Sequence, residues 1–352
     1  MTINHQSKIY NYLAVLGLIM AQAPFLHDLL YERSKEHILW LQQYKTPQLD
    51  SFMQTMSYLG DGDLYFYIIV IIWSLGRWNP KTSSLYEANY FSLTFVMSQG
   101  LSNILKGVYH SSRPFFDNIL LADTDMRDCA AEFGNPSGHS LNAVGVCLTI
   151  LWFYHDLYKD FFKKHNILWF LSYMFIAFFI ASVIYSRIYT GRHSIDQCIN
   201  GFVLGCWVAH FSSTYWRPHV FEVDIHKNSD HWMQWSMYAS VFVFYLVVIL
   251  GLYFYIETNI KIPEQWFNSA AMICDRLSEG HMFHYNTVAC IGYLSFTLTF
   301  YTHKAFKAQI GQPIKLKWEE GDVETRSSFL ESMLRIGSCV ILDYIMTSFA
   351  PM

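Results

Sequence analysis

Three short segments in the middle of the chain combine basic residues, histidines and turn residues in a pattern suited to phosphate-ester chemistry. The first contains Lys106 and, after six intervening residues, Arg113-Pro114. The second is Pro136-Ser137-Gly138-His139, and the third contains Arg187 followed after five residues by His193. The named residues of these segments include three cations and two histidines. These are the groups needed to hold a phosphate and to transfer it to a nitrogen atom.

The three cations and the turn residues are candidate ligands of a phosphate group. A phosphate monoester carries close to two negative charges at neutral pH, and the guanidinium groups of Arg113 and Arg187 match its geometry in a bidentate manner. The Lys106 ammonium adds a point charge. Gly138 permits close approach of the backbone, and Ser137 adds a hydroxyl donor where a helix begins.

The two histidines are candidates for the chemical steps. We predict that His193 is the nucleophile, because a neutral imidazole can attack phosphorus to give a phosphohistidine. His139 is the candidate general acid for the leaving alcohol, and then the base that activates water. Neither role requires a metal ion or other cofactor. The sequence shows no carboxylate cluster of the kind that binds one.

The segments that must position these residues are apolar. Hydrophobic residues make up 53% of the chain, charged residues 15% and aromatic residues 18%. This composition predicts an all-α, polytopic membrane helix bundle. We predict up to nine membrane-spanning helices, at about residues 9–24, 52–75, 90–108, 141–154, 167–184, 195–211, 235–256, 285–301 and 333–350. The small net charge of −4, with no basic stripe, argues against nucleic acid as a partner.

Two segments before the motifs have distinct patterns. Residues 64–75 alone would rise only about 18 Å as a helix, so the second span is expected to begin earlier. Gly60-Asp61-Gly62-Asp63 would then face protein or the membrane interface, since carboxylates facing lipid are costly. Residues 26–41 alternate apolar and charged positions at helical spacing. This predicts an amphipathic helix that either lies on the membrane surface or forms a solvated connector.

The distribution of basic residues predicts which side of the membrane the motifs face. In the nine-span arrangement, 14 of the 24 Lys and Arg residues lie on the side of the N-terminus. The other side has 10, or 7 without the motif cations Lys106, Arg113 and Arg187. The positive-inside rule places the N-terminus in the cytosol and all three motifs on the lumenal or exoplasmic face. Cys129 and Cys274 lie in loops on that face, and a disulfide between them is a hypothesis.

The three motifs resemble those of the type-2 phosphatidic acid phosphatase superfamily, the membrane lipid phosphate phosphatases. The pattern of that family is Lys-x6-Arg-Pro, Pro-Ser-Gly-His and Ser-Arg-x5-His-x3-Asp, which residues 98–205 match well. The segments at 45–50 and 57–61 resemble sphingosine-1-phosphate phosphatase-like members. The resemblance implies a six-helix phosphatase core within residues 1–215, with about three additional transmembrane helices of the same membrane domain in residues 216–352.

The resemblance also implies roles for individual residues. Phosphate would be bound by Lys106, Arg113, Ser137, Gly138 and Arg187. His139 would be the acid and His193 the nucleophile. The implied reaction is metal-independent hydrolysis of a lipid phosphate, with a long-chain base phosphate as one candidate substrate. The implied location is the endoplasmic reticulum or another endomembrane.

The chain departs from the family pattern four residues after the nucleophile. The family has Asp there, which orients the imidazole and stabilises its positive charge. This chain has Gln197, and Asp196 lies one residue earlier. Asp196 could replace the family carboxylate after a small rotation, because it lies three residues from His193 on nearly the same helix face. The departure keeps two alternatives open: a sugar-phosphate phosphatase of the glucose-6-phosphatase type, and a membrane subunit that retains the fold with weak or no activity.

Overall fold

The computed structural model describes residues 24–74, 84–122, 131–217 and 231–272. These residues form helices and contain no strand, which confirms the all-α prediction for the part of the chain described. A 3-10 turn covers Ile119–Leu121 and a π-helical turn covers Ser212–Trp216. The α-helices, numbered in chain order, are α1 Pro24–Gln42, α2 Pro47–Leu59, α3 Gly62–Ser74, α4 Ser84–Tyr109, α5 Pro114–Asp117, α6 Gly138–Leu157, α7 Lys159–Lys164, α8 Asn166–Tyr189, α9 Ile195–Phe211, α10 His231–Asn259 and α11 Glu264–Ala271.

Five of the nine predicted spans correspond to single helices. The third to seventh predicted segments coincide in order with α4, α6, α8, α9 and α10. The first, eighth and ninth lie outside the described residues, as do Cys129 and Cys274. The count of six core and three additional spans therefore stays a prediction.

The second predicted span is wrong as one continuous helix. Gly60 ends α2 and α3 begins at Gly62. Gly60 is buried, and a Cβ atom at this position would lie 3.3 Å from Cδ2 of His139. Because Gly60 has no side chain, the chain at this break can lie close to Val183 of α8 and His139 of α6. Of the two carboxylates, Asp61 is half-buried and Asp63 is exposed at the start of α3.

By length and composition, α8 is the helix within the described residues that could cross a membrane by itself. Residues 246–259 of α10 together with α11 pass the same test as a pair that is bent by 113°. Large apolar side chains of α8 point outward, among them Phe175 at 66% exposure and Phe178 at 62%. An outer surface of this kind fits contact with lipid chains.

Helices α6 and α9 form the centre of the fold, and their backbones are in close contact. A Cβ atom on Gly205 of α9 would lie 2.6 Å from Cβ of Val144 and 2.8 Å from the carbonyl oxygen of Leu141. A Cβ atom on Gly201 would lie 2.6 Å from the carbonyl oxygen of Ser137. Since real side chains do not tolerate such distances, these glycines allow the two helices to pack at this separation.

The amphipathic segment at 26–41 forms most of α1, which confirms the predicted helix. Its inner face packs against the protein, with Ile38 fully buried. The Tyr31 hydroxyl donates to Oδ2 of Asp117 at 2.9 Å, and Ser34 Oγ accepts from the backbone N–H of Ile195 at 2.8 Å. Helix α1 therefore contacts the start of α9. On the opposite face of α1, Trp40 is 49% exposed.

Candidate active site

The third motif ends α8 with a tight turn that directs His193 inward. The N–H groups of Arg192 and His193 donate to the carbonyl oxygen of Arg187 at 3.0 and 3.1 Å. Gly191 adopts φ 70°, a left-handed conformation that favours glycine. The turn folds the chain back on itself, and His193 is 1% exposed.

The hydrogen bonds of His193 determine which ring nitrogen can react. Nδ1 lies 2.9 Å from the carbonyl oxygen of Gly134 and 3.2 Å from Oε1 of Gln197. A carbonyl oxygen only accepts, so Nδ1 carries the proton and donates it. Nε2 is therefore unprotonated, and it accepts from Nη1 of Arg113 at 3.1 Å. The nitrogen available for attack on phosphorus points toward one of the predicted phosphate ligands.

The surroundings of His193 favour its neutral form. Burial lowers the pKa of the imidazole well below its usual value, and the charges of Arg113, Arg187 and Lys106 lower it further. His139 contributes in the same direction. A neutral imidazole is the form that can act as a nucleophile.

Two of the predicted phosphate ligands bind the same carboxylate. Arg113 Nη2 donates to Oε1 of Glu132 at 2.6 Å, and Lys106 Nζ donates to the same oxygen at 3.1 Å. Arg113 Nε also donates to the backbone oxygen of Glu132 at 2.7 Å. Burial alone would raise the pKa of Glu132, but the charges of Arg113 and Lys106 lower it well below its usual range. The carboxylate is therefore ionised at neutral pH.

The third cation, Arg187, is bound by a residue of α2. Arg187 is 1% exposed, and its Nη1 donates to the hydroxyl of Ser57 in α2. The second motif begins α6, with Ser137 as the N-cap residue. A Cβ atom on Gly138 would lie 3.9 Å from Nζ of Lys106, so the first and second motifs meet at the start of α6. Amide groups at a helix N-terminus attract anions.

Gln197 connects all three motifs. Its Nε2 donates to the carbonyl oxygen of Ser112 at 2.7 Å, beside Arg113. Its backbone oxygen accepts from the N–H of Ser137 at 3.0 Å. Its Oε1 accepts from the backbone N–H of Ser194 at 3.2 Å, in addition to its contact with His193. The amide group supplies a donor and an acceptor, and this arrangement uses both.

Asp196 points to a different partner. Its Oδ2 lies 2.7 Å from Nδ1 of His27 in α1, and its Oδ1 is buried with no hydrogen-bond partner among the described residues. This contact raises the pKa of His27. The structure therefore gives the orienting position at Nδ1 of His193 to Gly134 and Gln197, rather than to Asp196.

Several residues at the site were missed by the sequence analysis: Ser57, Glu132, Gly134 and Arg192. Arg192 is fully buried, with Cζ 5.2 Å from the ring centre of Phe115. A Cβ atom on Gly134 would lie 2.6 Å from Nε2 of Gln197, so only glycine fits there. One signal could have identified the structural role of Gln197. Ser194 and Gln197 have the Ser-x-x-Gln spacing of a capping box, and Gln197 makes its half of that motif by accepting from the Ser194 N–H at the start of α9.

Comparison with known proteins agrees with the motifs. The PAP2 superfamily profile matches residues 87–221. The chain is 26% identical over 174 residues to a protein of Dictyostelium discoideum named "Probable sphingosine-1-phosphate phosphatase", covering 49% of this chain and 40% of the relative. It is 28% identical over 202 residues to dihydrosphingosine 1-phosphate phosphatase YSR3 of Saccharomyces cerevisiae, covering 54% of this chain and 43% of the relative. The chain thus spans about two-fifths of the length of these curated relatives.

A solved structure is also similar. It is the transmembrane PAP2 type phosphatidylglycerolphosphate phosphatase of Bacillus subtilis, with a TM-score of 0.48 and 24% sequence identity. The similarity covers 62% of this chain and 98% of the bacterial chain.

Proposed function

We propose that this chain, whose residues 87–221 form a PAP2 superfamily domain, is an integral membrane phosphatase that hydrolyses a lipid phosphate through a phosphohistidine. The observation that carries the proposal is the orientation of His193. Its Nδ1 donates to the Gly134 carbonyl, and its Nε2 faces Arg113. A buried, neutral imidazole whose unprotonated Nε2 lies beside a phosphate ligand has the form that attack on phosphorus requires.

The reaction would proceed in two steps. Nε2 of His193 forms a bond to phosphorus while the bond between phosphorus and the ester oxygen breaks, and His139 donates a proton to the departing oxygen. His139 then accepts a proton from a water molecule whose oxygen attacks phosphorus. The nitrogen–phosphorus bond breaks, inorganic phosphate leaves, and His193 returns to its neutral form. Lys106, Arg113 and Arg187 would stabilise the charge on the phosphoryl oxygens.

A lipid substrate is supported by two observations. The names of the relatives include sphingoid-base phosphate phosphatases. Helix α8 also has an apolar outer surface. It carries Arg187 in its last turn and is followed by the turn to His193, so an apolar surface leads to the site. We propose a long-chain base phosphate as substrate, with the site on the lumenal face of the endoplasmic reticulum or another endomembrane.

Gln197 favours a second candidate function. The amide in place of the family aspartate is the feature that suggests a sugar phosphate as substrate, as in glucose-6-phosphatase. It also suggests a weakly active membrane subunit. Against the latter, the Nδ1 proton of His193 already has acceptors without a carboxylate.

A phosphate-release panel tests the proposal. Purified protein in detergent with EDTA would be given a sphingoid-base phosphate, phosphatidic acid and glucose 6-phosphate in parallel. We expect turnover of a lipid phosphate in EDTA, with the sphingoid-base phosphate hydrolysed fastest. Faster hydrolysis of glucose 6-phosphate would support the sugar-phosphate alternative. No turnover of any of the three, by protein that remains folded, would support the inactive-subunit alternative.

Substitution of Gln197 should reduce the rate more than it reduces substrate binding. In Gln197→Ala, Gly134 remains as the only described acceptor for Nδ1 of His193, and the bond to Ser112 is lost. We expect kcat to fall by about 10- to 100-fold, the effect of a misplaced catalytic group, with a smaller change in KM. Steady-state kinetics would measure both constants. The exposed residue Gln43 provides the control, as Gln43→Ala.

The substitution Gln197→Glu adds a negative charge to the side chain and removes its N–H donor, so it tests the two properties separately. The carboxylate would place a negative charge beside Nδ1 of His193, but it could not donate to the carbonyl oxygen of Ser112. We expect activity below that of the native protein. Activity above the native level would show that charge at this position matters more than the link between motifs.

A further inference from the structure

Glu132 holds the two cations that a phosphate would need. Its Oε1 accepts from both Arg113 Nη2 and Lys106 Nζ, at 2.6 and 3.1 Å. In this position one carboxylate oxygen makes the contacts expected of a phosphoryl oxygen bound by the same two side chains. The sequence motifs assign no role to Glu132.

We propose that the Glu132 carboxylate is a built-in competitor for the phosphate site, which exchanges with the phosphate group of the substrate and limits the affinity for inorganic phosphate. This inference rests on the proposed function, because it concerns the same cations. Glu132 would then determine how tightly the site binds its ligand and how readily the site releases the product.

The structure indicates which partner moves. The side chain of Arg113 is 1% exposed and that of Lys106 is 9% exposed, whereas that of Glu132 is 22% exposed. Arg113 is also fixed by bonds that do not involve the carboxylate: Nε donates to the backbone oxygen of Glu132 and Nη1 to that of Arg192. Rotation of the Glu132 side chain toward solvent would therefore leave Arg113 in place.

The charges involved explain how a substrate phosphate could displace the Glu132 carboxylate and how the product phosphate could later be released. A phosphate dianion has twice the charge of a carboxylate and more acceptor oxygens, so it gains more from the two cations. Separating Glu132 from Lys106 and Arg113 has an electrostatic cost, however, and that cost lowers the net affinity for any anion. When the phosphate leaves, the carboxylate can return to the cations.

Glu132→Gln tests the inference, because the amide keeps the size of the side chain and removes its charge. Binding of inorganic phosphate would be measured by titration calorimetry on the purified full chain in detergent at low ionic strength. We expect the affinity to rise by about tenfold or more, from removal of one competing charge close to two cations. The control is Glu36→Gln on α1, whose native carboxylate pairs with Arg33 at the surface.

The opposite result would overturn the inference. If Glu132 only supports Arg113, then Glu132→Gln will bind phosphate more weakly than the native protein, and an unchanged affinity also contradicts competition. Glu132→Ala provides a second test if the glutamine variant is unstable. Added acetate should compete with phosphate in Glu132→Ala and have little effect in the native protein, while equal effects in both would count against exchange.

These outcomes are independent of turnover. Tighter phosphate binding by Glu132→Gln in a protein that releases no phosphate from any substrate would support the inference and reject the proposed function. Normal turnover by the native protein together with weaker binding by Glu132→Gln would reject the inference and leave the proposed function intact.

Discussion

Substitution of His193 with alanine is expected to reduce phosphate release by about 10⁴-fold or more, because the variant lacks the atom that forms the bond to phosphorus. The side chain is buried and its Nε2 faces Arg113, so no other described imidazole nitrogen has the same position. The measurement is phosphate release in EDTA from a lipid phosphate. A second measurement traps the intermediate: native protein quenched with base during turnover of a ³²P-labelled substrate should carry base-stable, acid-labile label, and His193→Ala should not.

A matched control separates loss of the nucleophile from loss of folding. His165 is exposed between α7 and α8, so His165→Ala should retain nearly native activity. Thermal unfolding of both variants would be compared. Unchanged phosphate release by folded His193→Ala would remove the proposed mechanism, whatever the substrate.

Substitution of His139 with alanine is expected to affect substrates unequally. A general acid contributes about 10²- to 10⁴-fold when the departing oxygen is strongly basic. We therefore expect a loss of this size for a lipid phosphate, whose leaving group is an alcohol. The loss in the first step should be much smaller for p-nitrophenyl phosphate, because its leaving group needs no proton. Single-turnover rates with both substrates would measure the difference.

The unequal effect distinguishes a proton donor from a structural residue. His139 lies at the start of α6 beside Gly60, so its removal could also disturb packing. A packing defect would slow both substrates by a similar factor. Equal losses for the alkyl and aryl substrates would contradict the assignment of His139 as the general acid.

Much of the helical architecture could be predicted because its signals are local. The five segments that became α4, α6, α8, α9 and α10 are rich in apolar residues and contain few charges, which is a local signal for helices in a membrane protein. The break at Gly60 could not be predicted in this way. Gly60 lies close to Val183 and His139, which are far away in sequence, and hydropathy does not encode contacts of that kind.

The candidate site also combines residues that the sequence could predict with residues that it could not. The motif residues were identifiable because phosphate chemistry needs particular side chains at particular spacings. Glu132 was missed because one carboxylate in a loop has no pattern, and its importance comes from meeting Lys106 and Arg113 in space. The sequence suggested Asp196 as a substitute for the family aspartate. It could not show that His27 lies beside that carboxylate.

The close contact of α6 and α9 has a consequence for how this protein could change over evolutionary time. His139 lies in the first turn of α6 and His193 lies two residues before α9, so the separation of the two histidines depends on backbone contact at Gly201 and Gly205. Adding even one methyl group there would alter the spacing of the acid and the nucleophile. Diversification toward new substrates should therefore occur outside the α6–α9 contact, because the central pair tolerates little variation.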